Sequence, residues 1–118
     1  MKDSDLQRIN HIEKYCAKIG ESIARYGDLF EIFSSDWDYY NSICMSIMQI
    51  GELSGRLSDE FREQTCSQIP WSLIKNMRNM FAHDYVSMDK EIIWETASKD
   101  IPILKSFCEK VIEKSNRF

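Results

Sequence analysis

Apolar residues at the start of the chain fall at Leu6, Ile9, Ile12, Cys16, Ile19, Ile23, Tyr26 and Phe30. Steps of three and four put them on one stripe of an α-helix. Ser4 followed by Gln7 predicts a capping-box start, and Gly27 predicts the stop, with the stripe able to run slightly beyond it. Ser34-Ser35-Asp36 is the next start signal, ahead of a helix with Tyr40, Ile43, Ile47, Ile50 and Leu57 on one face. That helix is about 20 residues, or roughly 30 Å, long. Gly51 lies inside it, where glycine costs about 1 kcal/mol. The expected compensation is the close approach of another helix.

Ser58 predicts the cap of a short helix through Phe61 to about Gln64, and Thr65 to Gln68 is polar and loop-like. Pro70 suits the first turn of the following helix, because its missing N–H has no intrahelical partner there. That helix has Ile74, Met77 and Phe81 on its inner face, and Asp84 to Ser87 reads as a connection. The last region, Asp89 to Ser115, carries Ile93, Ala97, Ile101, Leu104, Cys108 and Val111 at helical spacing. Pro102 is expected to kink it, or to restart it near Asp100. No strand pattern, internal repeat, low-complexity segment or linker interrupts residues 1–118. The pattern predicts one all-α domain, a compact bundle of four or five helices.

Composition narrows the picture. A chain of 118 residues with 43% hydrophobic residues has room for one core and is not disordered. Only 4 Gly and 2 Pro are present, too few for the turns of a β-rich fold. The net charge of −4 argues against a general electrostatic binder of nucleic acid, so contact with RNA would need a local basic site. Cys16, Cys44, Cys66 and Cys108 form no C-x-x-C pair and read as small buried hydrophobes in a reducing cytosol. Met1-Lys2-Asp3-Ser4-Asp5 is too polar for a signal peptide, and no apolar run approaches the ~20 residues of a membrane span. With His11 and His83 as the only histidines and no ligand spacing, neither a metal nor a cofactor is expected. Trp37, Trp71 and Trp94 read as core or interface residues.

One constellation carries chemistry: Arg78-Asn79-Met80-Phe81-Ala82-His83-Asp84-Tyr85. An imidazole can take a proton from a ribose 2′-OH. A fixed guanidinium can hold a phosphate and stabilise the charge that builds on it. Asn79 can hydrogen-bond either participant. Together they form a minimal kit for metal-free RNA cleavage by attack of the 2′-oxygen on the adjacent phosphate. On a continuous helix, five residues turn about 500°, which leaves Arg78 and His83 about 140° apart. Either the helix ends near Ala82 and frees His83 to swing back, or a two-fold dimer brings two helix ends into one cleft. Arg78 borders the packed stripe and is expected to be partly buried, its guanidinium aimed at a partner.

Arg78, His83 and Tyr85 match R-x4-H-x-Y, and the chain resembles the HepT-like proteins of the HEPN superfamily. Gln49-Ile50-Gly51-Glu52, Leu57 to Phe61, Ile69-Pro70-Trp71, Met77-Arg78-Asn79, Ile93-Trp94-Glu95 and Ile101 to Leu104 resemble that family in order and spacing. The resemblance implies a single HEPN-like domain, an up-and-down bundle that dimerises with Arg78 and His83 of both subunits in one cleft. It implies a metal-independent endoribonuclease that leaves a 2′,3′-cyclic phosphate and serves as the toxin of a type VII toxin–antitoxin pair. The implied partner is a small MNT-type nucleotidyltransferase, which would neutralise the toxin by transferring AMP onto Tyr85. The alternative from the same residues is a non-catalytic subunit that binds nucleotide or docks a nucleotidyltransferase.

Overall fold

Four long helical stretches carry the molecule, a computed structural model that describes residues 1–84 and 88–116. They are α1 (Asp3–Tyr26), α3 (Trp37–Gly55), α5 (Trp71–Asp84) and a C-terminal rod. The rod comprises α6 (Lys90–Glu95), a π-helical turn (Thr96–Asp100) and α7 (Ile101–Ser115). Two short helices, α2 (Phe30–Ser35) and α4 (Asp59–Thr65), lie between the long ones. The described residues contain no strand, as the helical periodicity predicts.

Most boundaries follow from local chemistry. Gly27 stops α1 with φ of 123°, a conformation glycine tolerates and other residues avoid. Phe30 therefore belongs to α2, a turn that the apolar stripe does not separate from α1. Asp36 starts α3 by accepting the Tyr39 N–H at 3.1 Å. The hydroxyl of Ser35 instead turns back onto the Glu31 carbonyl at 2.7 Å. Ser58 caps α4 through the Phe61 N–H, as expected. The start of α1 is different from the capping-box expectation: the helix begins at Asp3, and Lys2 at the cap position offers no side-chain bond. Asp3 and Asp5 in the first turn favour the helix dipole instead.

Pro102 restarts the last helix as expected, α7 beginning at Ile101 with Asp100 in the cap position. It sits in the first turn of α7, and the π turn before it widens the backbone so that the Ile101 N–H reaches the Thr96 carbonyl. The rod stays helical throughout.

Helix α1 is the centre of the bundle, packed against α3 on one side and α7 on the other, while α5 packs chiefly on α3. Ile9, Ile12, Cys16 and Ile19 of α1 are at most 1% exposed. They meet Ile43, Ile47 and Ile50 of α3 and Leu104 and Cys108 of α7 in one core. Aromatic clusters close both ends: Phe33, Tyr39, Tyr40 and Trp94 at one, Phe61, Trp71 and Phe107 at the other. Trp71 is a core residue and the half-buried Trp94 packs against the core, whereas Trp37 is 53% exposed.

Three cysteines are buried as expected. Burial pushes the Cys16 thiol up to about 12 and the Cys44 thiol up to about 11, and raises that of Cys108 as well. Cys66 is the exception, being exposed. It follows the polar run Glu63-Gln64-Thr65 at the end of α4, and its thiol donates to the Glu63 carbonyl.

A buried polar tie joins the N-terminus to the middle of the chain. The Asp5 carboxylate accepts the Ser58 N–H at 2.8 Å and the Ser58 hydroxyl at 2.6 Å. Burial acts to raise the Asp5 pKa, but the two bonds from Ser58 and the charges of Lys2 and Arg8 outweigh it, holding the carboxyl below its ordinary value. Periodicity gives no sign of this link, because it spans more than fifty positions.

Candidate active site

The site is built where α5 crosses α3. A Cβ added to Gly51 would stand 2.5 Å from Arg78 Cβ and 2.9 Å from its Cγ. Only a residue without a side chain lets the stem of Arg78 cross the α3 backbone there. The close approach expected of Gly51 is therefore found, and its partner is the arginine of the motif.

One residue on, Glu52 receives Arg78. Its Oε1 accepts the Arg78 Nε–H at 2.5 Å, the two side chains being 37% and 39% exposed. The Asn79 Oδ1 accepts a second bond from Arg78 Nη1 at 3.1 Å. Among the described residues, these two bonds use two of the five N–H groups of the guanidinium fork. The expectation of a half-buried arginine aimed at a partner holds. The sequence reading assigns no role to Glu52; its place next to the obligatory glycine is the signal that could have found it.

His83 lies near the end of α5 and is exposed, as is Asn79. The helix continues through Asp84, so it does not end at Ala82 and His83 is not released to swing back. The helical ladder holds: His83 stays about 140° from Arg78 around the helix and about 7.5 Å further along it. Asn79 falls between them on the wheel, about 100° from Arg78 and 40° from His83. One chain thus presents an arginine on the flank facing α3, an asparagine beside it and a histidine on the outer face. Tyr85 and the greater part of the connection after α5 lie outside the described residues.

The outer side of α5 also carries apolar residues. Leu73 and Met80 are 63% and 51% exposed, and Ile103 of α7, near Leu73, is 62% exposed. Leu73 and Ile103 border a groove of about 300 Å³ between α5 and α7, floored by Ile50, Ile74 and Leu104. The described helices include none long and apolar enough to cross a membrane.

A small all-helical protein whose α5 carries a braced, half-buried guanidinium and, about 140° around the same helix, an exposed histidine is the class these features define. The Ribonuclease HepT-like family model matches residues 7–111. A protein of Caldanaerobacter subterraneus subsp. tengcongensis, named as a candidate RNase, is 34% identical over 106 residues, covering 90% of this chain and 92% of its own. A protein of Thermococcus cleftensis, named as a candidate ribonuclease HepT, is 32% identical over 82 residues, covering 70% of this chain and 74% of its own. A Methanocaldococcus jannaschii protein is 31% identical over 115 residues, covering 90% of this chain and 50% of its own, and is named both as a gamma-glutamylcyclotransferase and as a candidate RNase. No solved structure matches the chain. The chain belongs to the HepT-like ribonuclease family.

Proposed function

We propose that the protein is a metal-independent endoribonuclease. The observation that carries this reading is the braced guanidinium of Arg78, fixed by Gly51, Glu52 and Asn79 on the helix that also bears an exposed His83. Arg78 binds the scissile phosphate and offsets the charge that grows on its oxygens. His83 takes the proton of the adjacent 2′-OH, the 2′-oxygen attacks phosphorus, and the P–O5′ bond breaks as the 5′-oxygen takes up a proton from water. The products are a 2′,3′-cyclic phosphate and a 5′-hydroxyl. Asn79 orients the phosphate or the sugar.

The angle between Arg78 and His83 favours a site shared by two copies of the chain. The exposed Leu73 and Met80 lie seven positions apart, hence about 20° from each other on α5, and form a stripe that leads toward His83. A second copy covering that stripe would bring two helix ends together around one RNA.

The biological setting we propose is the toxin of a type VII pair, acting in the cytoplasm and held in check by an MNT-type nucleotidyltransferase. The Tyr85 phenol oxygen attacks the α-phosphorus of ATP, pyrophosphate leaves, and the tyrosyl-AMP places a phosphodiester where RNA would bind. The family membership and the position of Tyr85, two residues after His83, support this control. The test combines cleavage in EDTA with analysis of the RNA ends. Cyclic phosphate ends, lost in Arg78→Ala and His83→Ala, are the expected result; cleavage that requires added Mg²⁺ overturns it. Intact mass after co-expression tests the control, with the gain of AMP absent from Tyr85→Phe.

A further inference from the structure

A nuclease with net charge −4 needs a local basic site to hold RNA, and one is present outside the Arg78 region. The groove between α1 and α3 has a volume of about 580 Å³ and is lined by Lys18 and Arg25 with Tyr15, Tyr26 and Gln49, against one acid, Glu21. It continues past Lys14 and His11 toward Leu53, with Tyr15, Lys18 and Gln49 common to both parts. From His11 to Tyr26 the groove follows α1 for about 22 Å.

Its place relative to Arg78 follows from the register of α3. Gln49 borders the groove and Glu52 holds Arg78. The two are three residues apart, about 4.5 Å along α3 and 60° around it. The groove and the guanidinium therefore open on one face of the molecule, separated by the exposed strip of α3. Tyr26 stacks on Tyr39 and Lys18 lies over the Tyr15 ring, so the rings form the wall of the groove and its cations are the groups that meet the phosphates of a single strand.

We infer that the α1–α3 groove carries the single-stranded RNA that flanks the scissile phosphate, with Lys18 and Arg25, about 10.5 Å apart along α1, on two of its phosphates. This rests on the ribonuclease reading. The phosphate contacts set the strength of binding and carry no sequence information themselves.

The test uses the full chain with His83→Ala, which keeps the probe intact, and a fluorescein-labelled single-stranded RNA, followed by anisotropy across a salt series. Lys18→Gln with Arg25→Gln removes two phosphate contacts worth about 0.7 each in the salt slope, so the slope should flatten by about 1.4 and binding at 0.1 M salt should weaken roughly twentyfold. Lys99→Gln with Lys110→Gln changes the net charge equally but lies outside the groove, and should alter neither. An unchanged slope in the groove variant, or equal losses in both double variants, overturns the proposal. Cleavage by the otherwise unsubstituted protein separates the two readings. RNA bound through the groove but never cut refutes the catalytic reading alone; RNA cut by a protein whose binding ignores Lys18 and Arg25 refutes the groove alone.

Discussion

Helices α1 and α5 follow the same sequence rules and end in different situations. Helix α1 lies between two neighbours, and four of its apolar residues are sealed. Helix α5 leans on α3, buries Trp71 and Phe81, leaves Ile74 and Met77 half covered, and exposes Leu73 and Met80. Each is tied to the rest of the chain by a polar link. The α1 link, Asp5 to Ser58, is buried and its acceptors are filled by donors of the protein. The α5 link, Arg78 to Glu52, is more than a third exposed on both sides and keeps donors unspent. A buried, completed link holds a fold together; an open one holds a charge ready for something that arrives from solvent. The contrast predicts that substitutions at the sealed positions of α1 change stability with little direct effect on chemistry, and substitutions at the exposed motif positions of α5 do the reverse.

The sharpest separation comes from the two motif residues. Arg78→Ala and His83→Ala should each lower RNA cleavage by about 10²–10⁴-fold. Neither fills the core, so thermal midpoints should stay within about 3 °C of the unsubstituted protein, a shift of under 1 kcal/mol. Cleavage rates and melting curves on the same preparations check this. A variant that loses activity and melts early would make Arg78 a structural residue and remove the contrast.

Gly51→Ala couples the two kinds of link. The new Cβ would meet the Cβ and Cγ of Arg78, atoms that cannot swing aside as a side-chain tip can. Helix α5 has to shift outward, and a displacement near 1 Å at a reacting group can cost on the order of 10²-fold in rate. Overpacking costs about 1–3 kcal/mol, partly offset by the ~1 kcal/mol that alanine gains in a helix. Activity should therefore fall far more than stability. Equal and small changes would mean that α5 slides freely on α3.

This position also shows how far the sequence could be read. Gly51 inside a long apolar pattern signals a close approach, but not which helix arrives or that the residue meeting it is Arg78. Gly27, Asp36, Ser58 and the helical periods were legible because they act within one turn. Asp5 was not, since its partner is distant in sequence and a charged residue in a first turn looks like a dipole effect. Cys66 was misread because burial follows neighbours in space; the restart at Pro102 was legible, but the π turn before it leaves no residue signature. The arginine, asparagine and histidine were visible as a motif; Glu52, the residue that steadies the arginine, was visible only as a neighbour of the glycine.

Asp5→Ala probes the other side of the comparison. It leaves the buried Ser58 N–H without its acceptor and weakens the start of α4, a loss of about 1–3 kcal/mol. Cleavage measured well below the melting temperature should be unaffected. The pH dependence has a definite sign. The folded-state pKa of Asp5 lies below its ordinary value of 3.8, so its stabilisation is complete above that pH and is lost as the pH falls through the lowered folded-state pKa. Denaturant midpoints measured from neutral pH downward should fall less steeply in Asp5→Ala than in the unsubstituted protein. Parallel curves would mean that Asp5 titrates alike in the folded and unfolded chains.

The smallest effect on stability, and the finest test, belongs to Glu52→Gln. An exposed ion pair is worth about 0–1 kcal/mol, so the melting temperature should hardly move. Glutamine keeps an oxygen to accept the Arg78 Nε–H but removes the negative charge. That charge does two opposite things. It fixes the guanidinium, which favours the transition state, and it repels an incoming phosphate, which weakens substrate binding. Removing it should therefore lower KM, because RNA meets less repulsion, and lower kcat, because the fork is held less firmly. A bystander on the surface of α3 would leave both unchanged, and a purely structural residue would lower the melting temperature first. If kcat rises along with the fall in KM, Glu52 is a brake on Arg78 and not its support, and the open link of α5 would then be restraining the site it was taken to prepare.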